Sequence, residues 1–303
     1  MNTPSNAVPE SNSEAQVIAP TATSVTRPMY WSIRRELWEN RSIYIAPLAV
    51  ACLTLFGFVI ATIGRGMATH NLVQRQAVLE EPYTFATGLI MATAFIVGIF
   101  YSLEALHGER RDRSILFWKS LPVSDLTTVL AKASIPLVVL PLLTFAIAVI
   151  TQWIMLLLST LVLLGSGLSA ATLWRQVTWS QMMLLYHLLT VHVLWHAPIY
   201  AWLLLVSAWA RRMAFLWAAL PPLAIGVLEK IAFNTKHFAA MLGYRFSGPE
   251  AFSFTAPGSS AMHPMSHLEL GKFLSAPGLW TGLVVAAIFL AGAVRLRRYR
   301  EPI

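Results

Sequence analysis

The sequence is poor in charge and has a single cysteine. Of its 303 residues, 12% are charged and 56% are hydrophobic, whereas about a quarter of the residues of a soluble domain are charged. Cys52 has no cysteine to pair with, so neither an internal disulfide nor a Cys-based metal cluster can form. We expect its small side chain to be buried. The composition as a whole indicates an integral membrane protein.

The chain also lacks a nucleotide-binding loop. No GxxxxGK(S/T) pattern occurs, so ATP hydrolysis through a P-loop is excluded. We find no catalytic constellation, and we expect neither enzyme activity nor a cofactor in this chain. The net charge of +8 does not indicate a nucleic-acid partner, because the cations flank apolar runs and are explained by membrane topology.

Acidic residues are nearly absent from those apolar runs. Glu104 and Glu229 lie at the ends of runs and not at their centres. Carriers driven by protons or sodium ions usually bind the coupling ion with carboxylates or histidines inside the membrane. The shortage of acids therefore argues against a self-powered carrier, although backbone carbonyls can also bind Na⁺.

Six apolar runs have the length of a membrane span, for which about 20 residues are needed. They lie at about 43–64, 84–104, 133–164, 181–209, 213–229 and 276–294. These runs predict an all-α polytopic membrane protein with six transmembrane helices, in a single domain over residues 28–300. We expect a kink or break at Pro221–Pro222 in the fifth run. The long third run has Pro136 and Pro141 near its start and is expected to bend or tilt.

The distribution of basic residues predicts the orientation. Six spans put both termini on the same side, and fifteen of the 22 Lys and Arg residues fall in the segments on that side. By the positive-inside rule this side is the cytoplasm. Residues 1–27 are rich in Ser, Thr, Asn, Pro and Ala, which predicts a disordered cytoplasmic tail.

An amphipathic helix is predicted just before the first span, with Pro28 able to open it. Its apolar side contains Tyr30, Trp31, Ile33, Leu37 and Trp38. Its polar side contains Arg34, Arg35, Glu36, Glu39 and Arg41. We expect the helix to lie in the membrane interface, contacting it through Trp31, Arg34, Arg35 and Trp38. A soluble surface helix is the alternative.

Five polar residues of the fourth run share one face of a helical wheel. They are Gln181, His192, His196, Tyr200 and Ser207. Val193 stands where a zinc protease has the glutamate of HExxH, so that activity is excluded, and two histidines alone make a weak metal site. The face is either a polar seam between helices or one wall of a translocation path. Pro198 is expected to kink the helix.

A group of thioethers and imidazoles lies in the loop between the fifth and sixth runs. Its members are Met262, His263, Met265 and His267. This donor set suits copper, but short clusters of this kind arise easily in a chain with 11 methionines. We interpret the group as an ordinary loop and only a weak candidate for a metal site.

The most charged segment, Glu109–Lys132, separates the second and third runs. After a charged start, the apolar-aromatic stretch 115–118 is followed by Pro122, which ends a helix. Ser124 or Asp125 is expected to cap the next helix. Aromatic residues combined with charges of both signs favour a docking surface for a protein. A solvated loop held by lipid headgroups is the alternative.

This segment resembles the signature of a known family. The residues that carry the resemblance are Glu109, Arg110, Ser114, Ile115, Leu116, Ser120, Leu121, Pro122, Val123, Ser124 and Lys132. Their pattern is similar to that of the type-2 ATP-binding-cassette (ABC) transporter permeases, the six-span membrane subunits of many bacterial exporters. The chain departs from the pattern at Asp112–Arg113, where the family often has a glycine before the hydroxyl residue.

The resemblance implies a permease subunit of an ABC exporter in the bacterial cytoplasmic (inner) membrane. Its implied partners are a second permease subunit, identical or related, and a nucleotide-binding ATPase subunit that holds ATP and Mg²⁺. The residues implied in ATPase coupling are Glu109, Arg110, Asp112, Arg113, Phe117, Lys119, Leu121 and Pro122. A non-transporting membrane anchor or sensor coupled to an ATPase is the alternative, and a self-powered carrier is less favoured. The transported substrate stays open.

Overall fold

The chain is helical throughout the part that the structure describes. The computed structural model describes residues 26–66, 72–120, 123–165, 171–247 and 270–299, and no strand occurs among them. The α-helices are α1 (Thr26–Glu39), α2 (Ser42–Gly66), α3 (Leu72–Glu104), α4 (His107–Arg111), α5 (Ile115–Ser120), α6 (Asp125–Ser134), α7 (Leu140–Gly165), α8 (Ala171–His187), α9 (Ala197–Trp209), α10 (Ala214–Phe233), α11 (His237–Ser247), α12 (Leu270–Ser275) and α13 (Pro277–Tyr299). Two π-helical turns, Ile135–Val139 and Leu188–Trp195, precede α7 and α9.

Five helical stretches in this described part are long and apolar enough to cross a membrane. They are Ser42–Thr62, Pro82–Arg111, Asp125–Leu161, Ala214–Phe233 and Pro277–Tyr299. Apolar sequences of this length fold as helices in lipid because a helix satisfies its backbone hydrogen bonds within one segment. The prediction of an all-helical, multi-pass membrane protein is confirmed to this extent, by length and composition. The five stretches correspond to the first, second, third, fifth and sixth apolar runs.

The fourth apolar run is not a single regular helix. α8 continues into the π-helical turn Leu188–Trp195, and the chain then breaks at His196 before α9 begins. Pro198 lies in the first turn of α9, where the missing N–H of proline is not needed. α9 alone has 13 residues, too few to cross a bilayer. A crossing by this run requires α8, the π-helical turn and α9 together.

Proline interrupts the other runs less than expected. Pro136 lies in the π-helical turn between α6 and α7, so the third run changes its helical geometry there without a break. Pro221 and Pro222 lie inside α10, which continues through both of them. Of the two outcomes predicted for the fifth run, a kink or a break, the break is therefore not present.

Small residues allow the helices to pack closely. α3 packs against α2, α7 and α9, and α13 packs along α9. Between α9 and α13, Ala286 meets Ala197 and Ala201. Between α3 and α9, a Cβ at Gly98 would lie only 2.9 Å from the ring of Tyr200. In lipid, where apolar burial supplies little drive between helices, such close van der Waals contact holds them together.

Cys52 lies on the exposed side of α2, so the prediction that it is buried is wrong. Leu53 and Phe56 of the same helix are exposed as well. A helix in a bilayer has an outward face as apolar as its packed face, because lipid tails replace water. An apolar residue type therefore does not indicate which side of such a helix it occupies.

A glutamate reverses the chain between α10 and α11. Asn234 ends α10 in the left-handed conformation, with φ 53°, which asparagine tolerates at helix ends. Glu229 then accepts hydrogen bonds from the Thr235 hydroxyl and from the backbone N–H groups of His237 and Phe238, at 2.7, 2.7 and 2.8 Å. These N–H groups at the start of α11 have no acceptor within the helix. α11 consequently folds back until its last turn reaches the π-helical turn before α9.

Replacing Glu229 by Ala removes the acceptor for two backbone N–H groups, so the first turn of α11 is expected to open more often. Amide hydrogen exchange of residues 237–240 should become faster, while exchange in α13 stays unchanged. Glu229→Gln keeps one acceptor oxygen and should give an intermediate rate. Equal exchange in the wild-type protein and in Glu229→Ala would show that the carboxylate does not hold α11.

Candidate functional site

The segment Glu109–Lys132 folds into short helices that lead from α3 to α7. Ser124 is the N-cap of α6, since its side-chain oxygen accepts a hydrogen bond from the backbone N–H of Thr127 at 3.0 Å. Asp125, the other candidate cap, instead accepts a hydrogen bond from Nε of Arg297 at 3.1 Å. Of the two caps that the sequence predicts as alternatives, the structure therefore has Ser124.

Glu109 and Arg110 point into the protein and are only 6% and 3% exposed. Nη1 of Arg110 donates to the carbonyl oxygens of Ala208 and Ala210, at 2.7 and 3.1 Å. These carbonyls lie at the end of α9, where helical carbonyls lack internal donors. Both residues therefore anchor the segment from within and do not belong to an exposed docking face.

Glu109 belongs to a largely buried group of six charged side chains, called here the ion cluster. Its members are Arg35, Glu36, Glu109, Asp125, Lys132 and Arg297. Nζ of Lys132 lies 2.7 Å from Oε1 of Glu36 and 3.2 Å from Oε1 of Glu109. Arg297 contacts Glu109 through Nη1. The cluster holds three cations and three anions, so its burial leaves no uncompensated charge.

The ion cluster connects helices that are far apart in the sequence. Glu36 comes from α1, Glu109 from α4, Lys132 from α6 and Arg297 from α13. The hydroxyl of Tyr101 in α3 adds a hydrogen bond to Oε2 of Glu36 at 2.8 Å. Because each ion is costly to leave unpaired in a low-dielectric interior, these helix ends are held together as one unit.

The sequence did not predict the ion cluster. Glu36 was expected on the solvated side of the amphipathic helix, yet Glu36 is buried, and Arg297 was used only for topology. Lys132 carried a weak signal, because a lysine at the start of a long apolar run often pairs with an acid. The sequence does not indicate which acid is close in space.

Leu116 and Phe117 form the exposed apolar face of α5, called here the exposed patch. They are 59% and 60% exposed, whereas Ile115 on the same helix is buried. The ring of Trp118 lies beneath Arg35, with its centroid 3.3 Å from the guanidinium carbon. α5 is thus fixed to the bundle on one side and presents an apolar surface on the other.

The remaining residues implied in coupling flank this patch in the sequence. Asp112, Arg113 and Lys119 are exposed, and Nζ of Lys119 reaches the carbonyl oxygen of Arg298 at 3.4 Å. Leu121 and Pro122, including the hinge expected at Pro122, lie outside the described residues.

Arg113 adopts a backbone conformation that normally favours glycine. It follows the end of α4 with φ 57°, at the position where a left-handed glycine commonly ends a helix. A residue with a Cβ is disfavoured there by roughly 1–2 kcal/mol. This is the position where the resemblance pattern often has a glycine, and the backbone keeps the glycine-like geometry although the residue is arginine.

α1 faces the bundle with Ile33 and Leu37 and turns an aromatic side outward. The outward residues include Tyr30, Trp31 and Trp38. Arg34 lies between two of these rings, with its guanidinium carbon 5.2 Å from the Trp31 centroid and 5.3 Å from that of Trp38. This arrangement of aromatic rings and a cation is typical of a helix in the membrane interface.

The predicted polar face of the fourth run is brought together only in part. Nε2 of His192 lies 3.0 Å from the hydroxyl of Tyr200, and the rings of His192 and His196 are 5.6 Å apart. Gln181 does not join them through a hydrogen bond, because its buried Nε2 has no partner in the part of the chain described. The π-helical turn changes the helical period and separates residues that an ideal wheel superimposes.

Ser207 serves a different purpose from the rest of that face. Its hydroxyl oxygen accepts hydrogen bonds from the backbone N–H groups of Leu106 and His107, at 3.0 and 2.9 Å. It therefore satisfies the first N–H groups of α4 and, with Arg110, ties the segment to α9.

No metal site is indicated among the described residues, which contain no group of three His, Cys, Asp or Glu placed to hold an ion. The weak candidates Met262, His263, Met265 and His267 lie outside the described residues.

Comparison with known proteins assigns no family. No family model, no curated protein and no solved structure matches the chain. The structure defines the class of the protein: it is helical, and its long apolar helices suit a multi-pass membrane protein. The proposed function therefore depends on the geometry of the site.

Replacing Lys132 by Met removes the closest cation of Glu36 and leaves a buried carboxylate uncompensated. We expect a loss of about 3–5 kcal/mol in the free energy of unfolding, measured as a lower thermal unfolding midpoint in detergent micelles. Combining Glu36→Gln with Lys132→Met removes one charge of each sign and should recover more than half of the loss. Lys119→Met, at an exposed lysine, is the control and should change little. A double variant less stable than Lys132→Met alone would argue against charge balance as the cause.

Proposed function

We propose that the chain is the membrane-spanning permease subunit of an ABC transporter, an exporter driven by a separate ATPase subunit. In this proposal it pairs with a second permease subunit in the bacterial inner membrane, with both termini in the cytoplasm. ATP and Mg²⁺ belong to the ATPase subunit. The observation that carries the proposal is the exposed patch of α5, on a segment that buried ions anchor to the spans.

The exposed patch has the composition of a small protein interface. Its two residues, Leu116 and Phe117, are apolar, and the exposed charges Asp112, Arg113 and Lys119 flank them in the sequence. An apolar centre with a polar rim is the usual arrangement of an interface between proteins. Lipid headgroups would account for Arg113 and Lys119 but not for Asp112, which supports a protein partner.

The ion cluster supports the proposal because it makes the segment a mechanical connection. A partner that displaces α5 also displaces α4, and Glu109 is bound to Lys132 and Arg297 at the ends of two apolar stretches. Separating such buried pairs costs several kcal/mol, so the helix ends follow the segment. This is the property that a transporter needs when its motor is on another chain.

The docking claim is tested by co-expressing the permease with the ATPase encoded nearest to its gene. Phe117→Ala combined with Arg113→Gly removes the centre of the patch and one rim charge, and the glycine suits the left-handed backbone. We expect at least a tenfold loss of ATPase co-purification, as for the central residue of an interface, with an unfolding midpoint that is not lowered.

The matched control removes the same residue types from elsewhere on the protein. Phe233→Ala combined with Arg175→Ala changes an exposed aromatic residue and an exposed arginine outside the segment, and it should retain the ATPase fully. Full co-purification with the Phe117→Ala and Arg113→Gly variant would refute docking at the patch. Transport into vesicles without ATP would favour a self-powered carrier instead.

A further inference from the structure

α11 covers a cluster of aromatic and polar side chains at the end of the bundle away from the ion cluster. The ring of Phe95 in α3 lies 5.9, 5.1 and 6.0 Å from the rings of His192, His196 and Tyr200. Phe246 of α11 lies 6.2 Å from Phe95, and its carbonyl oxygen lies 3.3 Å from Nε2 of His196. The last turn of α11 is therefore in contact with the polar face of the fourth run.

This contact lies at the end of the bundle where α13 begins. Trp195 donates its indole N–H to the carbonyl oxygen of Tyr244 in α11 at 3.3 Å. On the neighbouring helix, α11 also contacts Gly278, the second residue of α13. α11 therefore packs against the fourth run and against the start of the sixth.

α11 places a guanidinium at this end of the bundle, in a site formed by two other helical segments. Arg245 donates from Nη2 to the carbonyl oxygen of Gly278 at 2.8 Å and from Nη1 to that of Trp195 at 3.4 Å. Its guanidinium carbon lies 4.3 Å from the centroid of the Trp195 ring. A Cβ at Gly282 would come within 2.7 Å of both terminal nitrogens, so glycine at this position of α13 leaves the room that the guanidinium occupies.

The positive charge of Arg245 is not balanced within the described residues. None of their ion pairs includes Arg245. The ionisable groups nearest in the cluster are histidines, and Glu229 of the preceding helix is already bound at the start of α11. Two carbonyl oxygens occupy two of the five N–H donors of an arginine and do not neutralise its charge.

We propose that Arg245 and Trp195 bind the anionic group of an amphiphile, that is, a carboxylate, sulfate or phosphate attached to an apolar tail. An arginine that packs against long apolar helices and has no acid partner in the part of the chain described is costly, and such residues commonly mark ligand pathways. The planar guanidinium matches the oxygens of such anions. The surrounding rings of Trp195, Tyr244 and Phe246 suit the apolar part of the molecule. The use of this site for cargo rests on the proposed function, whereas the binding itself does not.

The test is a binding measurement on the purified full-length chain in uncharged maltoside micelles, without an ATPase. The probe is dansylaminoundecanoic acid, and the competitors are decanoate, decyl phosphate and decyltrimethylammonium. We expect both anions to displace the probe and the ammonium compound of equal chain length to fail. Equal displacement by the ammonium compound would overturn the proposal, because the site would then recognise only the tail.

Three variants assign the binding to Arg245. Arg245→Gln should weaken probe binding about tenfold or more, the loss expected for a charge-assisted contact. Arg245→Lys keeps the charge but not the planar guanidinium, so it should weaken binding less than Arg245→Gln does. Arg175→Gln removes an exposed arginine of α8 and should leave binding unchanged. Wild-type affinity in a well-folded Arg245→Gln, or a loss in Arg245→Lys as large as in Arg245→Gln, would overturn the proposal. If Arg245→Gln does not purify as a single species, the displacement of the probe by anions but not by the ammonium compound, together with the affinity of Arg245→Lys for the probe, tests the proposal.

A further arm distinguishes a resident lipid from a cargo molecule. If phosphatidylglycerol displaces the probe at lower concentration than decanoate, the anion is a lipid headgroup, and the reverse order indicates a single-chain cargo. Either order supports the site. Because no ATPase is present, failure of this binding leaves the docking experiment intact, and failure of docking leaves this result intact.

Discussion

Charge neutralisation around Glu109 is the constraint on which the rest of the structure depends. Glu109 is buried between Lys132 and Arg297, and Lys132 in turn requires Glu36 of the first helix. Removing any one ion would leave the cluster with a net charge in a low-dielectric interior. The short helices between α3 and α7 therefore keep a defined position relative to α1, α6 and α13, and α5 can present the exposed patch on a rigid support.

The two ends of the bundle are organised by opposite electrostatic principles. At the end that carries the ion cluster, three cations are paired with three anions, so the charges stabilise structure and need no ligand. At the other end, Arg245 is held by carbonyl oxygens and an aromatic ring and has no acid partner within the described ranges. Glu229, which folds α11 back, and Gly282, which leaves room for the guanidinium, determine where that charge lies.

Much of the fold was predictable from the sequence, because the length of an apolar run and the capping preference of Ser124 are local properties. The candidate site was predictable only in outline. The resemblance pattern pointed to the segment that carries Glu109 and α5, but it did not separate the buried Glu109 and Arg110 from the exposed Phe117. The prediction that Cys52 is buried was wrong for a related reason, since an apolar environment in a bilayer is found on both sides of a helix. The prediction that five polar residues of the fourth run share one face was wrong in part, because a π-helical turn alters the period that the helical wheel assumes.

The sequence by itself determined that this protein is helical, that its helices are long and apolar enough for a membrane, and where the charged segment lies. These features follow from composition and from interactions within a few residues. Only the tertiary structure decided that Glu36 and Arg297 complete the ion cluster, that Ser207 caps α4, and that Arg245 reaches Trp195. Each of these contacts joins residues far apart in the chain, and the distance between two such groups depends on helix packing, which no local pattern encodes.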